Sequence, residues 1–133
     1  MVGILGMIAL SVAPTIRDCG VGTSVFKINA VSLTPTDPIP GEIVAMNLDY
    51  TVPSGVTVVD GQAKYAITYN FMPFSPTIEP LCQDIPCPLG PGTYMNSTYS
   101  TWPSGLSGTV NTKITWSDMA GAQLLCISMV AKF

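Results

Sequence analysis

Twelve prolines and twelve glycines are spread through these 133 residues, and they restrict what the chain can fold into. A proline inside a helix removes a hydrogen bond and clashes with the preceding turn, and an interior glycine weakens helix and strand alike. Stretches such as TPTDPIPG (34–41), PSG (53–55), DG (60–61), PSG (103–105) and SDMAG (117–121) cut the sequence into short runs. Long helices have no room, and hardly any run shows helical spacing.

The runs between these turns alternate with period two. In EIVAMNLDYTV (42–52), Val44, Met46, Leu48, Tyr50 and Val52 form an apolar set, and Asn47, Asp49 and Thr51 fall in the other. A helix over the same residues would place Asn47 on its apolar stripe among Ile43, Met46 and Tyr50, so the strand reading wins. GQAKYAITYNFM (61–72) repeats the pattern, with Ala63, Tyr65, Ile67, Tyr69 and Phe71 on one face. Val110, Thr112, Ile114 and Trp116 alternate with Asn111, Lys113, Thr115 and Ser117. The final LLCISMVAKF is apolar on both faces until Lys132, as expected of a strand covered on two sides. Weaker strands lie near 15–20, 25–33 and 93–101, and a slip of apolar phase between Ile28 and Val31 predicts a bulge. About seven short strands in one domain predict an all-β sandwich or barrel.

Charge and residue type exclude whole classes of function. The net charge is -3, and Arg17, Lys27, Lys64, Lys113 and Lys132 are isolated in sequence, so no stripe for nucleic acid or for an anionic membrane exists. Histidine is absent and the eight carboxylates are scattered singly, which leaves no recognisable catalytic constellation. The chain is expected not to be an enzyme and to need no cofactor. Nearly half of it is hydrophobic and only 10% is charged, so much apolar side chain must be hidden or must face something apolar.

Residues 1–13, MVGILGMIALSVA, are uncharged and too short to span a bilayer. They read as the apolar core of a secretory signal ending in Ser11-Val12-Ala13, or as a first β-strand. In LCQDIPCPLGPGTY (81–94), Cys82 and Cys87 stand either as half a metal site or as a small disulfide loop. Secretion would make the four cysteines two disulfides, and the sequon Asn96-Ser97-Thr98 fits the same compartment, with Asn96 as a glycan acceptor.

Four landmarks occur in order: Asp18-Cys19-Gly20, SLTPTDPIPGE (32–42), Leu81-Cys82 with Cys87-Pro88 and a following Gly-x-Tyr, and Leu125-Cys126-Ile127-Ser128. Their spacing over residues 15–133 resembles the ML family of MD-2-related lipid-recognition domains. It looks most like the branch holding the Niemann–Pick type C2 and the phosphatidylglycerol/phosphatidylinositol transfer proteins. The resemblance implies an immunoglobulin-like sandwich whose sheets splay apart around a lipid, with Cys19 bonded to Cys126 and Cys82 to Cys87. Animal sterol carriers of the family have a further cysteine pair in the second-to-third connection. SLTPTDPIPGE lacks it and looks more like fungal and plant members, several of them linked to phospholipids.

A lipid site needs concavity and apolar lining rather than reactive groups. Met46, Tyr50, Tyr65, Tyr69, Phe71 and Trp116 are the expected inward lining, each of which would serve equally as ordinary core. Their aromatic and thioether bulk is what suggests shaped gaps. FMPFSP (71–76) resembles the family's pocket entrance, with Phe74 nearest the lipid-contacting phenylalanine. TWPSGL (101–106) offers Trp102 and Leu106 for the other side of the mouth. The expectation is a monomeric, secreted or lumenal (lysosomal or vacuolar) carrier that takes one sterol or phospholipid and touches membranes transiently. A lipid-presenting recognition protein and an adhesion module with a filled core are the alternatives.

Overall fold

The computed structural model describes residues 14–102, 104, 105 and 107–133; the signal-like segment and Leu106 lie outside them. The described strands are β1 (Thr15–Asp18), β2 (Lys27–Thr34), β3 (Ile43–Val52), β4 (Gly61–Tyr69), β5 (Met72–Pro73), β6 (Thr77–Pro80), β7 (Gly92–Thr101), β8 (Thr109–Asp118) and β9 (Gln123–Lys132). One sheet runs β1-β9-β8-β4, with both β5 and β6 paired to β4, and the other runs β2-β3-β7. All the pairings are antiparallel. The chain is an immunoglobulin-like β-sandwich.

Two strands beyond the expected seven, β5 and β6, carry Pro73 and Pro80. Both sit at the edge of β4, where a proline's missing N–H breaks no central ladder. The bulge falls at Asn29, skipped between the pairs Ile28–Tyr50 and Ala30–Asp49. Its amide Nδ2 donates to Asp49 Oδ1 at 3.1 Å and to Thr51 Oγ1 at 2.9 Å, so the extra residue is tied to the outer face. Leu124 through Ile127 are all buried on β9, which lies inside its sheet between β1 and β8.

The alternation of β4 ends at Tyr69, which corrects the inward placement of Phe71. Asn70 and Phe71 adopt left-handed φ values of 49° and 67°, and Phe71 is 87% exposed. The turn is held from outside: Asn70 Oδ1 accepts from the Thr109 N–H at 2.8 Å, and its Nδ2 donates to the Ser107 carbonyl at 3.2 Å. Gly108, with φ of 107°, leaves the space that the Asn70 amide fills.

Both disulfides are present. Cys19–Cys126 joins the end of β1 to β9 across 107 residues, and Cys82–Cys87 closes a loop across five. The cysteine pair at 82 and 87 is therefore a pinned turn rather than half a metal site. The loop's Leu81, Ile85 and Leu89 are buried, and Leu89 exchanges backbone hydrogen bonds with Val58 at 2.8 Å each way. Two disulfides mark a chain that matures outside the reducing cytosol.

Candidate functional site

The sandwich is filled at one end and hollow at the other. At the disulfide end, Phe26 stacks on Tyr50 with centroids 5.6 Å apart, Tyr50 stacks on Tyr94 at 5.7 Å, and Trp116 meets Tyr50 edge-on at 5.5 Å. Leu81, Ile85, Leu89 and Leu125 close the floor around them. Sheets pack about 10 Å apart, a gap that rings of this size can bridge.

Towards the other end β3 and β8 turn shorter side chains inward, and a cavity of about 700 Å3 remains between the sheets. Leu33, Val44 and Met46 form one wall, extended on β7 by Thr98, Ser100 and Thr101. The facing wall is Tyr65, Ile67 and Tyr69 of β4, Val110, Thr112 and Ile114 of β8, and Met129 and Ala131 of β9. Phe74, Trp102 and Phe133 complete the lining at the exposed end. No lining side chain bears a charge at neutral pH. Size and apolar character are those of a small-molecule site.

The mouth is braced by hydrogen bonds. The Tyr69 hydroxyl donates to the Ser107 carbonyl at 2.7 Å and accepts from the Ser107 N–H at 3.2 Å. Gly108 and Phe133 exchange backbone bonds at 3.0 and 2.9 Å, and the Phe133 ring meets Trp102 edge-on at 5.3 Å. Trp102 is anchored to the opposite connection, its N–H donating to Glu42 at 2.9 Å and its carbonyl accepting from Gly41 at 2.7 Å.

An acidic group stands behind one wall. The Tyr65 hydroxyl donates to Asp84 Oδ2 at 2.7 Å. Burial, and then the bond and charge of Asp84, push the Tyr65 phenol well above its ordinary range. Glu79 is held above the usual carboxylate range, first by its hydrogen bond with Asp84, then by burial and the Asp84 charge. In the closed core, burial above all and then Tyr94 push Tyr50 up to about 12.

The profile of the ML domain matches residues 13–133. The chain belongs to the ML domain family. Two Dictyostelium discoideum proteins named as candidate phosphatidylglycerol/phosphatidylinositol transfer proteins are similar to it. One is 29% identical over 123 residues, covering 85% of this chain and 78% of the relative. The other is 25% identical over 133 residues, covering 95% and 91%. Among solved structures, a Niemann-Pick type C2 protein from Japanese carpenter ant superposes with a TM-score of 0.66 at 15% identity, covering 89% of this chain and 98% of that one. Chicken MD-1, solved in complex with lipid IVa, gives 0.62 at 12%, covering 90% and 88%. At these identities the likeness is one of fold.

Of the residues singled out in the sequence, Met46, Tyr65, Tyr69, Phe74 and Trp102 meet around the ML domain's cavity. Tyr50 and Trp116 do not line it. They share the alternating faces of Met46 and Ile114 but lie further along the strands, in the closed end, where they are 1% and 3% exposed. Phe71 stands outside on the turn. The sequon's Asn96 is half-buried and pairs with Leu48, which sets its side chain on the inner face of β7.

Large rings serve both ends: Tyr50, Tyr94 and Trp116 fill the closed end of the ML domain, while Tyr65, Tyr69, Phe74, Trp102 and Phe133 line its cavity, and the rest of the wall is small and medium-sized residues, most of which the sequence did not single out. Leu33, Val44, Val110, Thr112, Met129 and Ala131 gave only a strand signal. Nothing in alternation distinguishes a side chain that reaches its opposite number from one that falls short.

Proposed function

We propose that this chain takes up a single lipid, a sterol or a phospholipid, in the cavity between its sheets and carries it between membranes. It acts as a binder and carrier, not a catalyst. The observation that carries the reading is the hollow half of the sandwich: about 700 Å3 lined by apolar and hydroxyl side chains, without a charge. A lipid of ~28 heavy atoms at about 0.3 kcal/mol each would gain roughly 8 kcal/mol, a micromolar complex. The uncharged lining has a consequence for orientation. A phosphate head group would be left at the mouth in water, with acyl chains inside, whereas a sterol would bring one hydroxyl that Thr98, Ser100 or Thr112 could bond.

Transfer proceeds by collision with the membrane. Releasing a lipid into water costs about 0.8 kcal/mol per exposed methylene, which makes an aqueous step slow. The turn bearing Phe71, Met72 and Phe74 is 87, 68 and 54% exposed beside the mouth, and aromatic side chains of this kind suit the bilayer interface. The names of the Dictyostelium relatives favour a phospholipid cargo. Two disulfides suit a secreted or lumenal site of action, lysosomal or vacuolar in the latter case.

The test is mass spectrometry of the organic extract from protein secreted by a eukaryotic host, followed by vesicle-to-vesicle transfer with no other protein present. Stoichiometric sterol or phosphoglyceride together with transfer is expected. Bound lipid without transfer would favour a lipid-presenting role. No extractable lipid and no uptake of a fluorescent sterol or phospholipid would overturn the reading.

A further inference from the structure

Among the described residues, strand β7 is a free edge. It pairs with β3 along its whole length from Gly92 to Thr101, and among the described residues no strand pairs with its other side. Natural edges of this length are blunted by charges, prolines or bulges. The sequence GTYMNSTYST has no charge and no proline, and its register with β3 has no shift. Met95 and Tyr99, on the outer face, are 79% and 71% exposed.

The hydrogen-bonding parity of this edge follows from its partner. The Trp102 N–H donates to the Glu42 carbonyl at 2.9 Å, so alternate residues counted back from Trp102 bond to β3. The odd-numbered residues between, from Thr93 to Thr101, turn their N–H and C=O groups to the free side. Antiparallel self-pairing about a two-fold axis at Ser97 uses those groups, in register, on both copies. It sets Ser97 opposite Ser97, Met95 opposite Tyr99 and Thr93 opposite Thr101. The sulfur–aromatic and Thr–Thr pairs are favourable cross-strand neighbours, and no like charges meet.

We propose that two copies of this chain pair β7 to β7 across a two-fold axis at Ser97, extending the three-stranded sheet into one of six. This replaces the expectation of a monomer. The interface is isologous, as a closed dimer requires, and it leaves the sheet with β4 and the exposed Phe71–Phe74 turn outside the contact. It stands or falls independently of what the cavity holds.

Sedimentation velocity of unglycosylated, disulfide-bonded protein over a wide concentration range tests it. Dimerisation in the micromolar range is expected. Ser97→Lys and Ser97→Asp, which place like charges directly opposite each other, should each raise the dimer dissociation constant by about tenfold or more. Mixing the two variants should restore dimers, because Lys then faces Asp. That rescue distinguishes the interface from a folding defect. Tyr99→Pro removes an outward N–H without touching the β3 ladder and should also give monomer. A native protein that stays monomeric at every concentration, dimers indifferent to Ser97→Lys, or a mixture that fails to re-form dimers would each overturn the proposal.

Discussion

The Tyr69 hydroxyl clasps the backbone of Ser107 in both directions, donating to its carbonyl at 2.7 Å and accepting from its N–H at 3.2 Å. Tyr69 belongs to the cavity wall and Ser107 to the connection that carries Trp102 over the mouth. The clasp ties Ser107 to the β4 wall. Tyr69→Phe keeps the apolar ring and removes both bonds, at a cost of about 1 kcal/mol each. The expected result is a several-fold faster loss of bound fluorescent lipid, measured by stopped-flow dequenching, with a fall in Tm of a few degrees. Unchanged dissociation would mean that the connection does not gate the cavity.

Filling the hollow end and hollowing the filled end should have opposite consequences. Thr112→Trp projects an indole into the cavity, so lipid uptake should fall at least tenfold. Stability should change by less than the ~1–3 kcal/mol that overpacking a closed core costs. Leu125→Ala, in the closed end, should cost about 2–5 kcal/mol while the folded fraction still binds lipid. Lipid titration alongside urea unfolding of both variants separates the two regions.

The two disulfides should contribute unequally. Chain entropy assigns about 5 kcal/mol to a cross-link spanning as many residues as Cys19–Cys126 and about 2 kcal/mol to one as short as Cys82–Cys87. Double alanine replacement of each pair, followed by chemical denaturation, should reproduce that order.

Glu79 gives the stability a pH dependence of definite sign. With its pKa raised in the folded state, the protein holds the Glu79 proton more tightly than the unfolded chain does. The resulting stabilisation is complete below the unfolded pKa and is lost as pH rises through the raised folded value. Glu79→Gln cannot ionise. Its Tm should exceed that of the native protein near neutral pH, and the difference should close as the pH is lowered to about 4. A difference that widens on acidification would contradict a raised Glu79 pKa.

Phe71 and Phe74 should separate docking from binding. Phe74 lines the cavity and is also exposed, whereas Phe71 is exposed only. Phe71→Asp should slow transfer between vesicles and leave lipid affinity unchanged; Phe74→Asp should impair both. Neither rate should vary strongly with salt, because few basic residues are available to attract anionic membranes.

The sequence by itself determined seven of the nine described strands, the turns between them and an all-β sandwich or barrel. Prolines and glycines exclude helices, and period-two alternation assigns each side chain to a face. The slip near Asn29 announced its bulge for the same reason, since an extra residue shifts the phase of everything after it. Face is not depth, however. Tyr50 and Met46 are equivalent in the alternation of β3, yet one is locked in an aromatic stack and the other looks into empty space. Which of them meets a partner depends on the summed lengths of two side chains from different sheets, and that sum exists only once the sheets are assembled. Phe71 failed as an inward residue because Asn70, bound to Ser107 and Thr109 nearly 40 residues away in sequence, bends the chain before it. The location of the cavity was decided by contacts of this long-range kind, which no local pattern records.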